Sequence, residues 1–162
     1  MAIRIVSLVA RLGLAAVWLI SGGIKFLDPV QTKIAVRAYQ LLPESLVGPV
    51  AIAMPLVEIV LGLLLLVGLA VRASAAVSVL MLVVLIGVII SVWARGLSID
   101  CGCFGGGGAA DVDAWDYFSE ILRDIGFLAL ALWLCFFPRS PLALGQGSRT
   151  AFSVEAQSSM AR

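Results

Sequence analysis

Residues 73–92 read ASAAVSVLMLVVLIGVIISV, twenty positions without one charged side chain. As an α-helix such a run rises about 30 Å, the thickness of a bilayer's hydrocarbon core. Upstream, residues 46–71 form a second apolar run, interrupted by Pro49, Pro55 and Glu58, and residues 5–27 a first. The first run continues through Trp18 and Ser21 to Lys25 with no small-residue cleavage pattern, so it reads as an uncleaved helix. Downstream, residues 125–137 are purely apolar but too short to span. A fourth helix must therefore begin near Trp115 to Tyr117 and carry Arg123 and Asp124 with it. Those two charges should avoid lipid tails, and they are expected to pair across helices instead of with each other.

Composition agrees with this pattern. The 162 residues are 62 % hydrophobic and 13 % charged, far more apolar than a soluble chain of this size can bury. The net charge of +1 gives no reason to expect nucleic acid. With no histidine, His-ligated haem, His-containing zinc sites and imidazole acid–base chemistry are excluded. The expected architecture is an all-α integral membrane protein. Residues 1–137 form a four-transmembrane-helix bundle with spans at 5–27, 46–71, 73–92 and 117–137. A polar, disordered tail follows at 138–162. A tight turn around Arg72 makes the second and third spans antiparallel neighbours.

The first connection has its own structure. Asp28-Pro29 has the form of an N-cap followed by proline at the first helical position. Val30, Ile34, Ala38 and Leu41 then recur at helical spacing, with Lys33, Arg37 and Gln40 opposite, and Pro43 ends the pattern. This predicts a short interfacial amphipathic helix between helices one and two.

Four spans put both termini on one side, with Arg4, Arg72, Arg139 and Arg149; Lys33, Arg37 and Arg95 lie on the other. From this weak bias the termini are placed in the cytoplasm. The third connection, with Trp93, Trp115 and Tyr117 as interfacial anchors, then faces the oxidising compartment. It contains Asp100-Cys101-Gly102-Cys103-Phe104 followed by a glycine run. Cysteines two apart can be bridged, though the ring is small and strained, and strained, exposed disulfides exchange readily. Gly102 and Gly105 to Gly108 permit the backbone angles that such a bridge needs. Asp100 disfavours a neighbouring thiolate; Arg95 and Arg123, if folded over the loop, favour it. The alternatives are incidental loop cysteines, or two thiolates holding a soft Cu(I) ion, for which the loop has neither histidine nor methionine; no metal site is assigned. Cys135 sits nearly a bilayer away and is excluded as a partner of the pair.

Polar residues inside the spans call for partners. Lys25, one turn from Ser21, reads either as a boundary anchor that snorkels outward or as an interior charge. Glu58 reads either as a hydrogen-bonded brace between helices or as a proton or electron-acceptor site near a quinone.

At the end of the first span, Ser21-Gly22-Gly23-Ile24-Lys25-Phe26-Leu27-Asp28-Pro29 resembles a motif of DoxX-like membrane proteins. Glu58 with Gly62 and Gly68 resembles the next block of that group. Asp100-Cys101-Gly102-Cys103-Phe104-Gly105 resembles the loop of its MauE branch, the methylamine utilisation proteins. The resemblance covers residues 5–137. It implies a bundle in the bacterial inner membrane and a role in maturation of the methylamine dehydrogenase light chain, through its disulfides. It also implies an extracytoplasmic thioredoxin-like protein or secreted protein as partner. The redox role then falls on Cys101 and Cys103, with Lys25, Glu58, Arg95, Arg123 and Asp124 in support. A lipid quinone is a natural electron acceptor in a bundle without haem ligands, an expectation drawn from need and not from a motif. A different class of function is a non-catalytic membrane scaffold or assembly subunit for a partner oxidoreductase, docked on the segment 30–42 and the cysteine loop. A solute transporter has little support, since no pair of broken helices is present.

Overall fold

The computed structural model describes residues 2–102, 106–140 and 143–145. In chain order these form α1 (Ala2–Leu27), α2 (Pro29–Ala38), α3 (Glu44–Val67), α4 (Val71–Ala94), β1 (Ile99–Asp100), β2 (Gly108–Ala109) and α5 (Ala114–Phe136). The four long helices close into a ring. α1 packs on α3 and on α5, α4 packs on α5, and α3 touches α4.

What makes this bundle a membrane protein is an inverted distribution of polarity. Val9, Ile52 and Leu80 point outward and are more than 60 % exposed, whereas Ser7, Arg11, Ser21, Lys25, Glu58, Ser78 and Asp124 lie inside at 8 % or less. Water as solvent would reverse that arrangement; lipid tails favour it. α1, α3 and α4 are each long and apolar enough to cross a bilayer. α5 has the length, 23 residues, but carries Asp116, Glu120, Arg123 and Asp124.

The turn between α3 and α4 lies at Gly68 to Ala70 and not around Arg72, which sits inside the first turn of α4. Gly68 (φ +76°) ends α3 in the left-handed region, where glycine avoids the Cβ penalty, and its N–H caps the Leu64 and Leu65 carbonyls. The expected tail starts with order: the Leu144 and Gly145 N–H groups donate to the Val67 and Gly68 carbonyls over this turn. Residues 146–162 lie outside the described residues.

Two glycines set the crossing of α1 and α3. A Cβ built on Gly22 would lie 2.9 Å from the Glu58 Cβ and 3.0 Å from the Pro55 carbonyl oxygen; one on Gly62 would lie 2.6 Å from the Leu19 Cγ. Only hydrogen fits at either place, so the two backbones approach as small-residue membrane crossings do. Nearer the termini, Leu14, Trp18, Leu61, Leu65, Leu82 and Leu134 belong to the main apolar cluster. There the Trp18 Nε1–H donates to Ser78 Oγ at 2.9 Å, which satisfies the buried indole.

α2 begins as its sequence implies. Asp28 Oδ1 accepts from the Gln31 N–H at 2.9 Å, and Pro29 occupies the first turn. Its buried face, however, is Thr32, Ala35 and Val36, while Val30 and Ile34 point outward. The reason is tertiary. Val36 packs with Val47 and Ala51 of α3, and α2 also touches β2, so the side with small residues faces the protein. The helix stops at Ala38, and Gln40 takes a positive φ of 51°.

Candidate functional site

The cysteine loop is built on a hairpin, which the glycine-rich sequence gave no reason to expect. β1 and β2 pair antiparallel, Ile99 opposite Ala109 and Asp100 opposite Gly108. Gly102, Gly106, Gly107 and Gly108 all have positive φ, from 64° to 106°. Beyond conformation, two of them allow close docking on α2. A Cβ on Gly107 would sit 2.5 Å from the Ala35 Cβ, and one on Gly102 would sit 3.2 Å from it. The Gln31 side-chain amide donates to the Gly107 carbonyl at 2.6 Å. α2 thus covers the loop, and the Asp100 carboxylate accepts the Gly102 N–H at 2.9 Å beneath it.

Tyr117 fastens the hairpin to α5. Its hydroxyl is 2.6 Å from the Leu97 carbonyl and 3.1 Å from the Ile99 carbonyl, and it accepts the Ile99 N–H at 3.0 Å. Tyr117 is buried at 4 % and stacks on Trp93 with centroids 6.2 Å apart, so it is an internal brace and not the interfacial anchor the sequence suggested. Replacing Tyr117 by Phe leaves the Ile99 amide without its acceptor. That amide should then exchange with solvent roughly tenfold faster, while those in the middle of α4 keep their rates. Hydrogen exchange measured on the purified protein checks this.

Cys101 is 5 % exposed, which corrects the expectation of an exposed sulfur. It packs with Ile89, Val92, Ile99 and Tyr117. The Tyr39 hydroxyl donates to its carbonyl at 2.6 Å, and Arg95 donates to the Tyr39 carbonyl at 2.7 Å, so Arg95 reaches the loop through Tyr39. The Cys101 Sγ lies in hydrogen-bond contact with Glu120 Oε2, 2.6 Å away. Cys103, with the expected Cys101–Cys103 bridge, lies outside the described residues. Cys135 is half-buried against the main apolar cluster. Fifteen residues of helix separate it from Glu120, about 22 Å of rise, so α5 itself holds it away from Cys101.

The structure gathers the polar residues of the spans one level deeper. Lys25 Nζ donates to Glu58 Oε1 at 2.6 Å and to Ser21 Oγ at 3.0 Å, and Ser21 Oγ is 3.0 Å from Glu58 Oε2. Lys25 is therefore an interior charge that binds α1 to α3, not a boundary anchor. Thr32 Oγ1 donates to the Lys25 and Asp28 carbonyls, each at 2.9 Å, and ties α2 to the same point. Asp124, buried at 2 %, pairs with its own neighbour Arg123 at 3.2 Å and also feels the Lys25 ammonium. The expectation that Arg123 and Asp124 pair across helices in preference to each other is thus corrected. Adjacent side chains on a helix diverge, but the long guanidinium arm folds back to the buried carboxylate.

Glu120 and Tyr39 were not among the sequence candidates. A signal for Glu120 exists: Tyr117, Glu120 and Asp124 follow the i, i+3, i+7 spacing that lines one helix face. That face looks inward, from the hairpin towards Lys25.

Fold and site together define a multi-pass, all-helical membrane protein with a cysteine-bearing hairpin at one end of its bundle. The profile of the family described as Methylamine utilisation protein MauE matches residues 3–137, and the chain belongs to that family. No curated protein and no solved structure matches it.

Proposed function

We infer that this MauE-family protein is a membrane thiol–disulfide oxidoreductase of the bacterial inner membrane. Cys101 and Cys103 exchange with a thioredoxin-like protein or a secreted substrate outside the cytoplasm. In keeping with the family's name, the disulfides of a methylamine-oxidising enzyme are one such substrate. The observation that carries the reading is the Cys101 sulfur, sunk in a glycine-rich hairpin and touching a carboxylate at 2.6 Å. A cysteine with only a packing role needs no such neighbour.

α1, α3, α4 and α5 are the four spans. For α5 the support is directional: Asp124 is turned inward, whereas Leu122, Ile125 and Phe136 are 59 %, 47 % and 76 % exposed along the outer side. α2 rests at the membrane surface over the hairpin, its outward Val30 and Ile34 meeting the headgroup layer. No cavity for a quinone headgroup is assigned; Lys25, Glu58 and Asp124 are the polar groups such a headgroup would meet.

Labelling intact cells with a membrane-impermeant thiol reagent tests both chemistry and topology. In cells carrying Cys135→Ser, label should enter only after external reduction, and Cys101→Ser/Cys103→Ser should abolish it. The same double variant should leave extracytoplasmic substrate proteins with unformed or mispaired disulfides. Unchanged disulfides in all of them would instead leave the scaffold role.

A further inference from the structure

Glu120 sits on α5 one turn above Asp124, with Oε2 2.6 Å from the Cys101 Sγ. That is within the reach required of a proton-transfer partner. Cys101 is 5 % exposed, so bulk water is poorly placed to take its proton. Yet a thiol must lose that proton before its sulfur can attack, and a new thiol must regain one when a disulfide opens. The charged groups acting on Glu120 are Arg123 and Asp124 of α5 and Asp100 of β1. From the other side of Cys101, the Tyr39 hydroxyl holds the carbonyl, and Arg95 at the end of α4 holds Tyr39. Among these described groups Glu120 is the one placed on the sulfur.

We propose that Glu120 is the acid–base residue that takes the Cys101 proton when the Cys101–Cys103 disulfide forms and returns it when that bond opens. The proposal rests on the thiol–disulfide reading above and adds a catalytic residue to it. Cys103, joined to one sulfur of the partner's former disulfide, is the electrophile. Glu120 accepts the proton of the Cys101 thiol, and the thiolate attacks the Cys103 sulfur. The Cys101–Cys103 bond forms, the Cys103–partner bond breaks, and the partner sulfur leaves with the electron pair and is protonated from solvent. The cysteine pair has lost two electrons, the partner disulfide has gained them, and Glu120 then releases its proton. In the opposite direction every step is reversed.

The test uses two measurements on the full chain in detergent. In a Cys103→Ser/Cys135→Ser background, thiolate absorbance against pH reports Cys101 alone. Glu120→Gln removes a negative neighbour that disfavours the thiolate, so the midpoint should fall by about one pH unit. With Cys101 and Cys103 both present, exchange with a disulfide-bonded thioredoxin-like protein at neutral pH should slow roughly 100-fold in Glu120→Gln. Glu120→Asp, which keeps the carboxylate on a shorter arm, should recover part of that loss. A neighbour acting by charge alone predicts the same fall in midpoint but faster exchange, so the exchange rate separates the two. An unshifted midpoint, or exchange as fast as in the unmodified protein, overturns the proposal. If the unmodified protein shows no exchange while the midpoint still shifts, proton coupling between Glu120 and Cys101 stands and the oxidoreductase reading falls.

Discussion

Lys25→Met should destabilise the bundle by roughly 3–5 kcal/mol, because it strands the Glu58 carboxylate in the protein interior. The pair is almost fully desolvated, with side-chain exposures of 9 % and 1 %. Among the described residues, Ser21 Oγ, 3.0 Å away, is the hydrogen-bond partner that would then remain to Glu58. Glu58→Leu should cost a similar amount by stranding the ammonium, which would have to break from Ser21 and reach for the surface. The double variant Lys25→Met/Glu58→Leu should recover most of either loss, since apolar side chains of similar size pack where the ion pair stood. Titration of the purified variants with a denaturing detergent measures all three. Equal losses in the single and double variants would show that the pair is not coupled. The double variant also separates the two readings of Glu58. A brace can be replaced by packing, so exchange at Cys101 would survive; a proton site cannot, and exchange would be lost in a folded protein.

Gly22→Leu should be as damaging, for a steric reason. The first carbon of any side chain there meets the Glu58 Cβ at 2.9 Å and the Pro55 carbonyl oxygen at 3.0 Å. Neither is the loose end of a flexible chain, so α1 and α3 must separate. Overpacking of this kind costs about 3 kcal/mol. Separation also draws Lys25 away from Glu58, so the two effects reinforce each other. The same detergent titration should show a loss of at least that size, and Gly23→Leu, whose Cβ meets nothing within 4 Å, should show little. Comparable losses from both substitutions would show that the sensitivity does not lie in the crossing, since leucine is the better helix former at either position.

The helices were legible because apolar runs of membrane length are long and nearly free of charge, and a signal spread over twenty residues tolerates local ambiguity. The start of α5 was anticipated from length alone: the apolar residues 125–137 were too short for a span, and the helix that holds them begins at Ala114. The α2 cap was equally local, written in Asp28 and Pro29. What the sequence hid was tertiary. Helical spacing grouped Val30, Ile34 and Ala38 on one face but could not show that Ala35, on another, would be chosen because the hairpin needs a side chain no larger than methyl against Gly107. A two-residue strand pair carries no periodicity, so the hairpin was invisible. At the site, Cys101, Lys25, Glu58 and Asp124 could be singled out by chemical type. Their grouping could not, because Lys25 and Glu58 meet only through the register that Gly22 and Gly62 impose. Glu120 went unnoticed among the charges near the start of α5 until the fold brought Cys101 to it.

The three residues that join α3 to α4 bear on biogenesis. A join of that length reaches about 10 Å at most, whereas a hydrocarbon core is about 30 Å thick. Gly68 and Ala70 are both left-handed, so the chain reverses at once. α3 and α4 must accordingly enter the bilayer together as a hairpin, for neither can cross while the other waits at the far surface. A charge change at Arg72 cannot reverse one of them alone. The pair turns over or it does not.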